Sequence, residues 1–173
     1  LIRDVDDMQE MLDGFLSFAG GDANNALETV KVRELLATML EGAERAGQDV
    51  AKGAVTGDDI EMKLRPRAIT RAVDNLIGNA LRYGTRAQLG LTVTERTVRF
   101  CVEDNGPGIP LAAREAAMSP FVRLDPARNQ DAGTGVGLGL AIVADIARAH
   151  GGLLRLGDSD TLGGLKAELV IAR

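Results

Sequence analysis

The run Asn75-Leu-Ile-Gly-Asn79-Ala-Leu-Arg82-Tyr83 lies near the middle of the 173-residue chain, in a segment whose apolar residues follow a helical period. Asn75 and Asn79 are four residues apart and therefore share one face of that helix. Asparagine is a middling helix former, so two on one face need partners for their amides. An amide oxygen is a hard ligand suited to Mg²⁺. Taken alone, the pair is equally typical of capping or of polar bonding in the core.

A second motif, Asp104-Asn105-Gly106-Pro107-Gly108-Ile109-Pro110, follows a strand-like run of alternating apolar residues. A carboxylate at the end of a strand can accept a hydrogen bond from an amino group such as that of adenine. Gly106 and Gly108 lack a Cβ, which lets the backbone approach a flat ring closely. The same residues also suit a plain turn between a strand and a helix, and the motif alone does not separate these alternatives.

A third motif is rich in glycine and enters a predicted helix, with the sequence Gly133-Thr134-Gly135-Val136-Gly137-Leu138-Gly139-Leu140-Ala141-Ile142-Val143. Alternating glycines before a helix leave backbone N–H groups and the positive helix end available to bind phosphate. No β–α–β unit surrounds the motif, which argues against a dinucleotide fingerprint, and no Gly-Lys-Ser/Thr follows, which excludes a Walker loop. The motif therefore indicates an anion site of another class.

In this order the three motifs resemble the N box and the two glycine boxes of the Bergerat-type ATPase and kinase superfamily. That superfamily includes DNA gyrase, the large heat-shock chaperone, the mismatch-repair ATPase and the histidine kinases. Residues 120–125, Pro-Phe-Val-Arg-Leu-Asp, resemble the F box that is specific to the histidine kinases. The resemblance covers residues 27–173 and is closest to the osmosensor type of sensor histidine kinase.

The resemblance implies an ATP site and a Mg²⁺ ion. Asp104 is expected to hold the adenine amine, and Asn79 to ligate Mg²⁺ with Asn75 beside it. The catalytic residues implied are Asn75, Asn79 and Arg123, where Arg123 or Arg128 would offset the γ-phosphate charge or simply be solvated. The further ATP-binding positions implied are Arg82, Tyr83, Gly106, Gly108, Ile109, Phe121, Thr134, Gly135, Val136, Gly137, Leu138 and Gly139.

One residue of the first motif separates the branches of the superfamily on chemical grounds. Members that hydrolyse ATP carry a glutamate at the first N-box position, where it serves as a general base for water. This chain has Asn75 there, an amide that cannot take a proton. Activation of water is therefore unsupported, and transfer to a better nucleophile is favoured. The prediction is a protein-histidine kinase domain rather than an ATPase.

The hydrophobic period predicts alternating helices and strands along the chain. Helices are expected over residues 33–46, 66–83, 112–118 and 136–150, and strands over 27–30, 50–55, 60–64, 89–93, 98–102, 153–157 and 165–171. Residues 119–135 are polar and rich in Pro, Arg, Asp and Gly, which is typical of a lid. Because helices and strands alternate irregularly, the fold class expected is a two-layer α/β sandwich with a mixed, largely antiparallel sheet.

Residues 1–20 carry apolar side chains at steps of four and three, which is the pattern of a bundle helix or of an ordinary amphipathic helix. By resemblance they are the second helix of a dimerisation and histidine-phosphotransfer bundle. Residues 21–26 form a polar linker, and residues 27–173 the ATP-binding domain. The chain begins within this helix and without Met, which suggests a piece of a longer kinase. The phosphoacceptor histidine and its neighbouring acid are expected upstream of Leu1.

The composition of the chain excludes some classes of binding partner. A net charge of −5 argues against nucleic acid, and no apolar run is long enough to span a membrane. The lone Cys101 is expected to be a small packed side chain in a reducing compartment. His150, the only histidine, is expected to be structural. The resemblance implies a cytoplasmic homodimeric kinase whose partners are its own phosphoacceptor helical domain and the receiver domain of a response regulator.

Three alternatives stay open at this stage. The chain could be a nucleotide-binding pseudokinase, which the intact motifs disfavour. It could be a hydrolysing ATPase, which Asn75 disfavours. It could be a serine kinase of the anti-sigma-factor type, which shares the nucleotide motifs but is disfavoured by the first helix and by the F-box-like segment.

One position departs from the family pattern, since Arg65 precedes Pro66 where many relatives have Asp, and a changed cap or surface contact is expected there.

Overall fold

A computed structural model of the chain describes residues 8, 12, 26–119 and 139–173. Within these residues the strands are β1 (Glu28–Lys31), β2 (Val50–Thr56), β3 (Glu61–Leu64), β4 (Ala87–Val93), β5 (Thr97–Asp104), β6 (Leu153–Asp158) and β7 (Leu165–Ala172). The helices are α1 (Val32–Arg45), α2 (Pro66–Tyr83), α3 (Arg114–Ala117) and α4 (Gly139–Ala149), and a 3₁₀ turn at Leu111–Ala113 leads into α3.

The main sheet has five strands in the order β2-β4-β5-β7-β6. β2 runs parallel to β4, and every other neighbouring pair in this sheet is antiparallel. α2 packs on β5, and α4 packs on β6 and β7. The predicted two-layer α/β sandwich with a mixed, largely antiparallel sheet is confirmed.

The strands on either side of the turn at residues 57–60 belong to different sheets. β3 pairs with β1 as a separate antiparallel ribbon, whereas β2 joins the edge of the main sheet beside β4. Where the chain changes sheets, the backbone N–H of Val32, at the start of α1, donates to the carbonyl of Ile60 at 3.1 Å. In addition, the Arg33 guanidinium donates to the carbonyl of Gly57 at 2.6 Å. The turn is therefore held against α1.

Apolar side chains, most of them aliphatic, form the core between the helices and the main sheet. α2 contributes one buried stripe, namely Ala68, Ile69, Ala72, Val73, Leu76, Ile77 and Ala80. The facing side of β5 contributes Val98, Phe100 and Val102. Burial of one such aliphatic side chain stabilises the fold by about 1.5–3 kcal/mol relative to exposure. The single stripe on α2 leaves the flank of this helix available for other contacts.

Cys101 lies on the less buried side of β5, between residues of the core face. Burial raises the pKa of its thiol to about 12, and the nearby Glu103 carboxylate adds to the rise. The thiol is therefore protonated at neutral pH and unreactive. This agrees with the expected packing role.

His150 follows α4 and connects it to the start of α2. Its Nε2 accepts a hydrogen bond from the backbone N–H of Arg65 at 3.1 Å. Its Nδ1 lies 2.8 Å from the carbonyl of Ile146, which identifies the tautomer with the proton on Nδ1. The Arg65 side chain forms no capping bond at the start of α2, and His150, which follows α4, meets the backbone there. The expected structural role of His150 is confirmed.

Two of the predicted segments lie largely outside the described residues. Of the helix expected over residues 1–20, the structure describes Met8 and Leu12, which are helical and exposed. The lid-like segment is described only at Ser119. In the described part of the chain, no helix is long and apolar enough to cross a membrane.

Candidate functional site

Three loops meet at the end of the main sheet where β5 finishes. They are the turn between α2 and β4, the loop after Asp104, and the turn between β6 and β7. Asn105 joins the first two, because its Oδ1 accepts from the backbone N–H groups of Thr85 at 2.8 Å and Arg86 at 3.1 Å. Its Nδ2 also donates to the Thr85 hydroxyl at 2.8 Å. An amide that makes three local bonds fixes the position of both loops.

The Asp104 carboxylate is fixed at the centre of these loops. It is 4% exposed, and its Oδ1 accepts from the backbone N–H groups of Gly106 at 2.9 Å and Leu165 at 3.1 Å. The carbonyl of Asp104 accepts from the N–H of Gly164 at 3.0 Å. Both carboxylate bonds go to one oxygen, so Oδ2 is the atom that can accept from a further donor. Asp104 can thus present one acceptor in a defined direction.

Burial raises the pKa of the Asp104 carboxyl above its ordinary value, although the hydrogen bonds from Leu165 and Gly106 partly oppose the rise. A buried charge that is bonded on one side only is costly to the fold. Such a group is typical of a binding site, where a ligand donor supplies the missing bond.

Glycines bring the backbone of these loops into close contact with Asp104. A Cβ on Gly164 would lie 2.3 Å from Oδ1 of Asp104 and 2.4 Å from its carbonyl oxygen. A Cβ on Gly106 would lie 3.0 Å from the carbonyl group of Tyr83 at the end of α2. Gly108 has φ of +73°, which glycine adopts at little cost. A side chain at Gly164 would therefore require the turn or the carboxylate to move, one at Gly106 would be tight, and one at Gly108 would strain the backbone.

Two polar side chains, Ser159 and Arg114, brace the turn between β6 and β7. The buried Ser159 hydroxyl donates to Glu103 at 3.0 Å and accepts from the N–H of Leu162 at 3.0 Å. Arg114 at the start of α3 forms an ion pair with Asp158 at 2.9 Å and donates to the carbonyl of Ile109 at 3.0 Å. The walls around Asp104 are therefore held by side chains from β5, α3 and the turn itself.

The sequence reasoning missed Gly164, Leu165, Asn105 and Ser159 as parts of this site. The adjacent Gly163-Gly164 in the last hairpin could have indicated this role. One glycine is enough for many hairpin turns, so a second one suggests that another part of the chain packs closely against the turn. Nothing local in the sequence shows that this turn reaches back to β5. That contact follows from the pairing of β7 beside β5.

The two asparagines lie on a flank of α2 next to its buried stripe, and both are half-buried. Within the residues that the structure describes, neither amide forms a hydrogen bond, so neither caps a helix nor satisfies a polar group of the core. The flank leads along α2 to the half-buried Arg82 and Tyr83, and from there to Gly106. The structure thus places Asn75, Asn79, Arg82 and Tyr83 on an element that ends beside Asp104.

The remaining predicted site residues are described only in part. Half-buried Ile109 lies in the loop after Asp104, and Gly139 begins α4 with open space where a Cβ would be. The other predicted positions, Phe121, Arg123, Arg128, Thr134, Gly135, Val136, Gly137 and Leu138, lie outside the described residues.

Comparison with known proteins places this arrangement in a family. Residues 64–172 match the family described as histidine kinase-, DNA gyrase B- and HSP90-like ATPase. The chain belongs to this family. The matched residues include α2, the Asp104 loops and α4, so the site described above lies entirely within the matched region.

Similar proteins identify the branch of the family. The sensor histidine kinase CpxA of Escherichia coli is 33% identical over 165 residues, which are 92% of this chain and 36% of that protein. The ATP-binding domain of PrrB from Mycobacterium tuberculosis superposes with a TM-score of 0.67 at 29% identity, over 84% of this chain and 96% of that one. The histidine kinase domain of the E. coli osmosensor EnvZ gives a TM-score of 0.61 at 33% identity, over 89% and 92%.

The chain is therefore an ATP-binding catalytic domain of the two-component sensor histidine kinase type, and the resemblance deduced from the motifs is confirmed. It spans about a third of the length of the curated relatives that it matches. The matched family is one of ATP-binding domains.

Proposed function

We propose that this domain binds Mg-ATP and transfers the γ-phosphoryl group to a histidine outside the chain, for relay to an aspartate of a response regulator. The observation that carries the proposal is the Asp104 carboxylate. Its Oδ1 is occupied by two backbone donors, which leaves Oδ2 as the oxygen that would accept from the amino group of adenine. Gly106 and Gly108 would line the base, and Ile109 would contact it from the same loop.

The flank of α2 would receive the rest of the nucleotide. Asn79 would ligate Mg²⁺ with Asn75 beside it, because both amides are half-buried and unengaged by other described residues. A hard amide oxygen suits this ion, which neutralises phosphate charge when bound. Arg82 and Tyr83 would contact the phosphates and the nucleoside. The predicted phosphate and lid contacts of Phe121, Arg123 and residues 134–139 belong to the same proposal.

The nucleophile is proposed to come from elsewhere for two reasons. The Nε2 atom of His150 accepts from the backbone N–H of Arg65, and its protonated Nδ1 donates to the carbonyl of Ile146, so the one ring lone pair that could attack a phosphate is already engaged. Asn75 cannot act as a general base toward water. Catalysis by this chain would consist of positioning and charge compensation, as is usual in phosphoryl transfer.

The wider assignments follow from the same proposal. Residues 1–20 would be the second helix of a dimerisation bundle, residues 21–26 a linker, and residues 27–173 the catalytic domain. The parent kinase would be a homodimer whose catalytic domain lies in the cytoplasm. Its partners would be its own phosphoacceptor helical domain and a receiver domain.

Nucleotide titration of the 173-residue chain tests the site. We expect Mg-dependent ATP binding by calorimetry in the unaltered chain and its loss in Asp104→Ala and in Asn79→Ala. Asp145→Ala is the matched control, because Asp145 is exposed on α4 and pairs only with Arg148 at 3.8 Å among the described residues. Circular dichroism establishes that each variant is folded. Unchanged titrations of both site variants would refute the assignment.

A further inference from the structure

We infer that Arg71 contacts the terminal phosphate of the bound nucleotide and thereby distinguishes ATP from ADP. The inference rests on the proposed function and extends it to a residue that none of the three motifs contains. Arg71 lies on α2 four residues before Asn75, and Asn75 lies four residues before Asn79. Residues at this spacing lie above one another on a helix. Arg71, Asn75 and Asn79 therefore form one row along the flank of α2.

An unsatisfied donor marks Arg71 within this row. Its Nη2 atom is buried and has no hydrogen-bond partner, and in the described part of the chain no ion pair joins it to Asp74 three residues later. A buried charged donor without an acceptor is unfavourable by more than the loss of an ordinary hydrogen bond. Among the described residues, Arg99 Nε is also buried without a partner, but the Arg99 guanidinium lies 3.8 Å from the Glu168 carboxylate, and Arg114 and Arg33 both donate to acceptors of the protein. An anionic ligand would supply the hydrogen-bond acceptor that Arg71 Nη2 lacks.

The position of Arg71 along the helix indicates which part of the ligand it meets. The base is proposed to lie beside Asp104, at the end of α2 where Gly106 approaches Tyr83. Arg71 is 12 residues before Tyr83, which corresponds to about 18 Å of helix at 1.5 Å per residue. A nucleotide that extends from Asp104 along the row would pass Asn79 and Asn75 first. The terminal phosphate is therefore the part nearest to Arg71.

The chemistry of the side chain agrees with this position. A guanidinium donates two parallel hydrogen bonds to the oxygens of one phosphate, and it keeps its charge at every relevant pH. ADP lacks the terminal phosphate and would leave Arg71 as unsatisfied as it is in the free protein. The contact would thus contribute to ATP affinity and not to ADP affinity.

Paired titrations of Mg-ATP and Mg-ADP into the 173-residue chain test the inference. We expect Arg71→Gln to weaken ATP binding by about tenfold or more, as for the loss of one charge-assisted hydrogen bond, and to change ADP binding less than twofold. Arg71→Lys should recover part of the ATP affinity, because it restores the charge without the planar fork.

Arg67→Gln is the matched control, because Arg67 is an exposed arginine one turn earlier on the same helix. It removes the same charge and should leave both affinities within twofold. Equal losses of ATP and ADP affinity in Arg71→Gln, or no loss of either, would overturn the inference while leaving the proposed function intact. Failure of the unaltered chain to bind either nucleotide would instead refute the proposed function.

Discussion

At the scale of single residues, Asp104 combines a cost in stability with a capacity to bind. Its carboxylate is buried, and the two backbone donors that it meets both bond to Oδ1. Because burial raises the pKa of this carboxyl, the native protein takes up a proton here more readily than the unfolded chain. Native stability contributed by this group therefore falls as pH rises from the unfolded to the folded pKa, and the full cost is present above the folded pKa.

This cost leads to a prediction for Asp104→Asn. The asparagine Oδ1 keeps the two backbone bonds, and the buried negative charge is removed. We expect the melting temperature at pH 7 to rise by a few degrees, as for a modest gain in a chain of this size. The gain should shrink as pH falls through the folded pKa of Asp104. Adenine binding should be lost, because the amide presents Nδ2–H where the carboxylate presents an acceptor.

Thermal melts of the wild-type and variant chains between neutral and acid pH measure this difference. Asp145→Asn provides the reference for loss of an exposed carboxylate on α4. A gain that is the same at all pH values, or a loss of stability at pH 7, would contradict the account of Asp104.

Sequence reasoning at this scale found Asp104 and the asparagine pair, because the motifs bear distinctive residue types at fixed spacings. It did not find Arg71. An arginine on a helix is usually solvated, and only the burial of its Nη2 atom makes it unusual. Nor did the sequence separate a ligand role for Asn75 and Asn79 from capping. The absence of hydrogen bonds to their amides, among the described residues, favours the ligand role.

At the scale of elements, the turn between β6 and β7 forms the back of the site. Gly164 packs so closely on Asp104 that a methyl group there must displace either the carboxylate or the turn. Ser159 and Arg114 hold the turn and leave little room for that movement. The pairing register of β7 with β5 determines where this turn lies, because it brings Leu165, at the start of β7, beside the end of β5.

We predict that Gly164→Ala destabilises the chain by about 2–3 kcal/mol, as expected for overpacking at a braced site, and weakens ATP binding. Chemical denaturation and nucleotide titration give the two quantities. Gly78→Ala is the matched control, since nothing lies within 4 Å of the added Cβ and the residue is inside α2. It should be neutral or stabilise the helix by up to about 1 kcal/mol. Equal effects of the two substitutions would contradict the packing described here.

His150 shows how elements that are distant in the sequence are joined. It follows α4, yet its Nε2 receives the backbone N–H of Arg65 at the start of α2. α2 bears Asn75 and Asn79, and α4 begins at Gly139 of the third motif, so this bond joins two elements of the proposed nucleotide site. The sequence indicates that His150 is structural, but the partner depends on how the helices pack.

At the scale of the whole molecule, the sequence predicted most elements of the described part and the class of the fold. Periodicity identified α2 and the alternating strands β4 and β5 because each has one strongly apolar face. It did not reveal that β2 and β3 belong to different sheets. Strand pairing depends on contacts such as that between Val32 and Ile60, which periodicity does not encode. The loops around Asp104 were unpredictable for the same reason.

The domain as a whole is proposed to be a phosphoryl donor that requires a separate acceptor. The described residues include the proposed contacts for ATP, and the one histidine of the chain is engaged in the fold. Asn75 in place of an acid gives it no base for water. These features together predict that bound ATP is stable until a phosphoacceptor domain is present.

The most direct test mixes the 173-residue chain with the histidine-bearing helical domain of the parent kinase and ATP labelled at the γ-phosphate. We predict label on that domain as an acid-labile phosphohistidine, only with Mg²⁺, absent with the Asp104→Ala variant, and little phosphate release when the acceptor is omitted. Steady phosphate release without an acceptor, an acid-stable label on serine, or bound ATP with no transfer would each contradict the account.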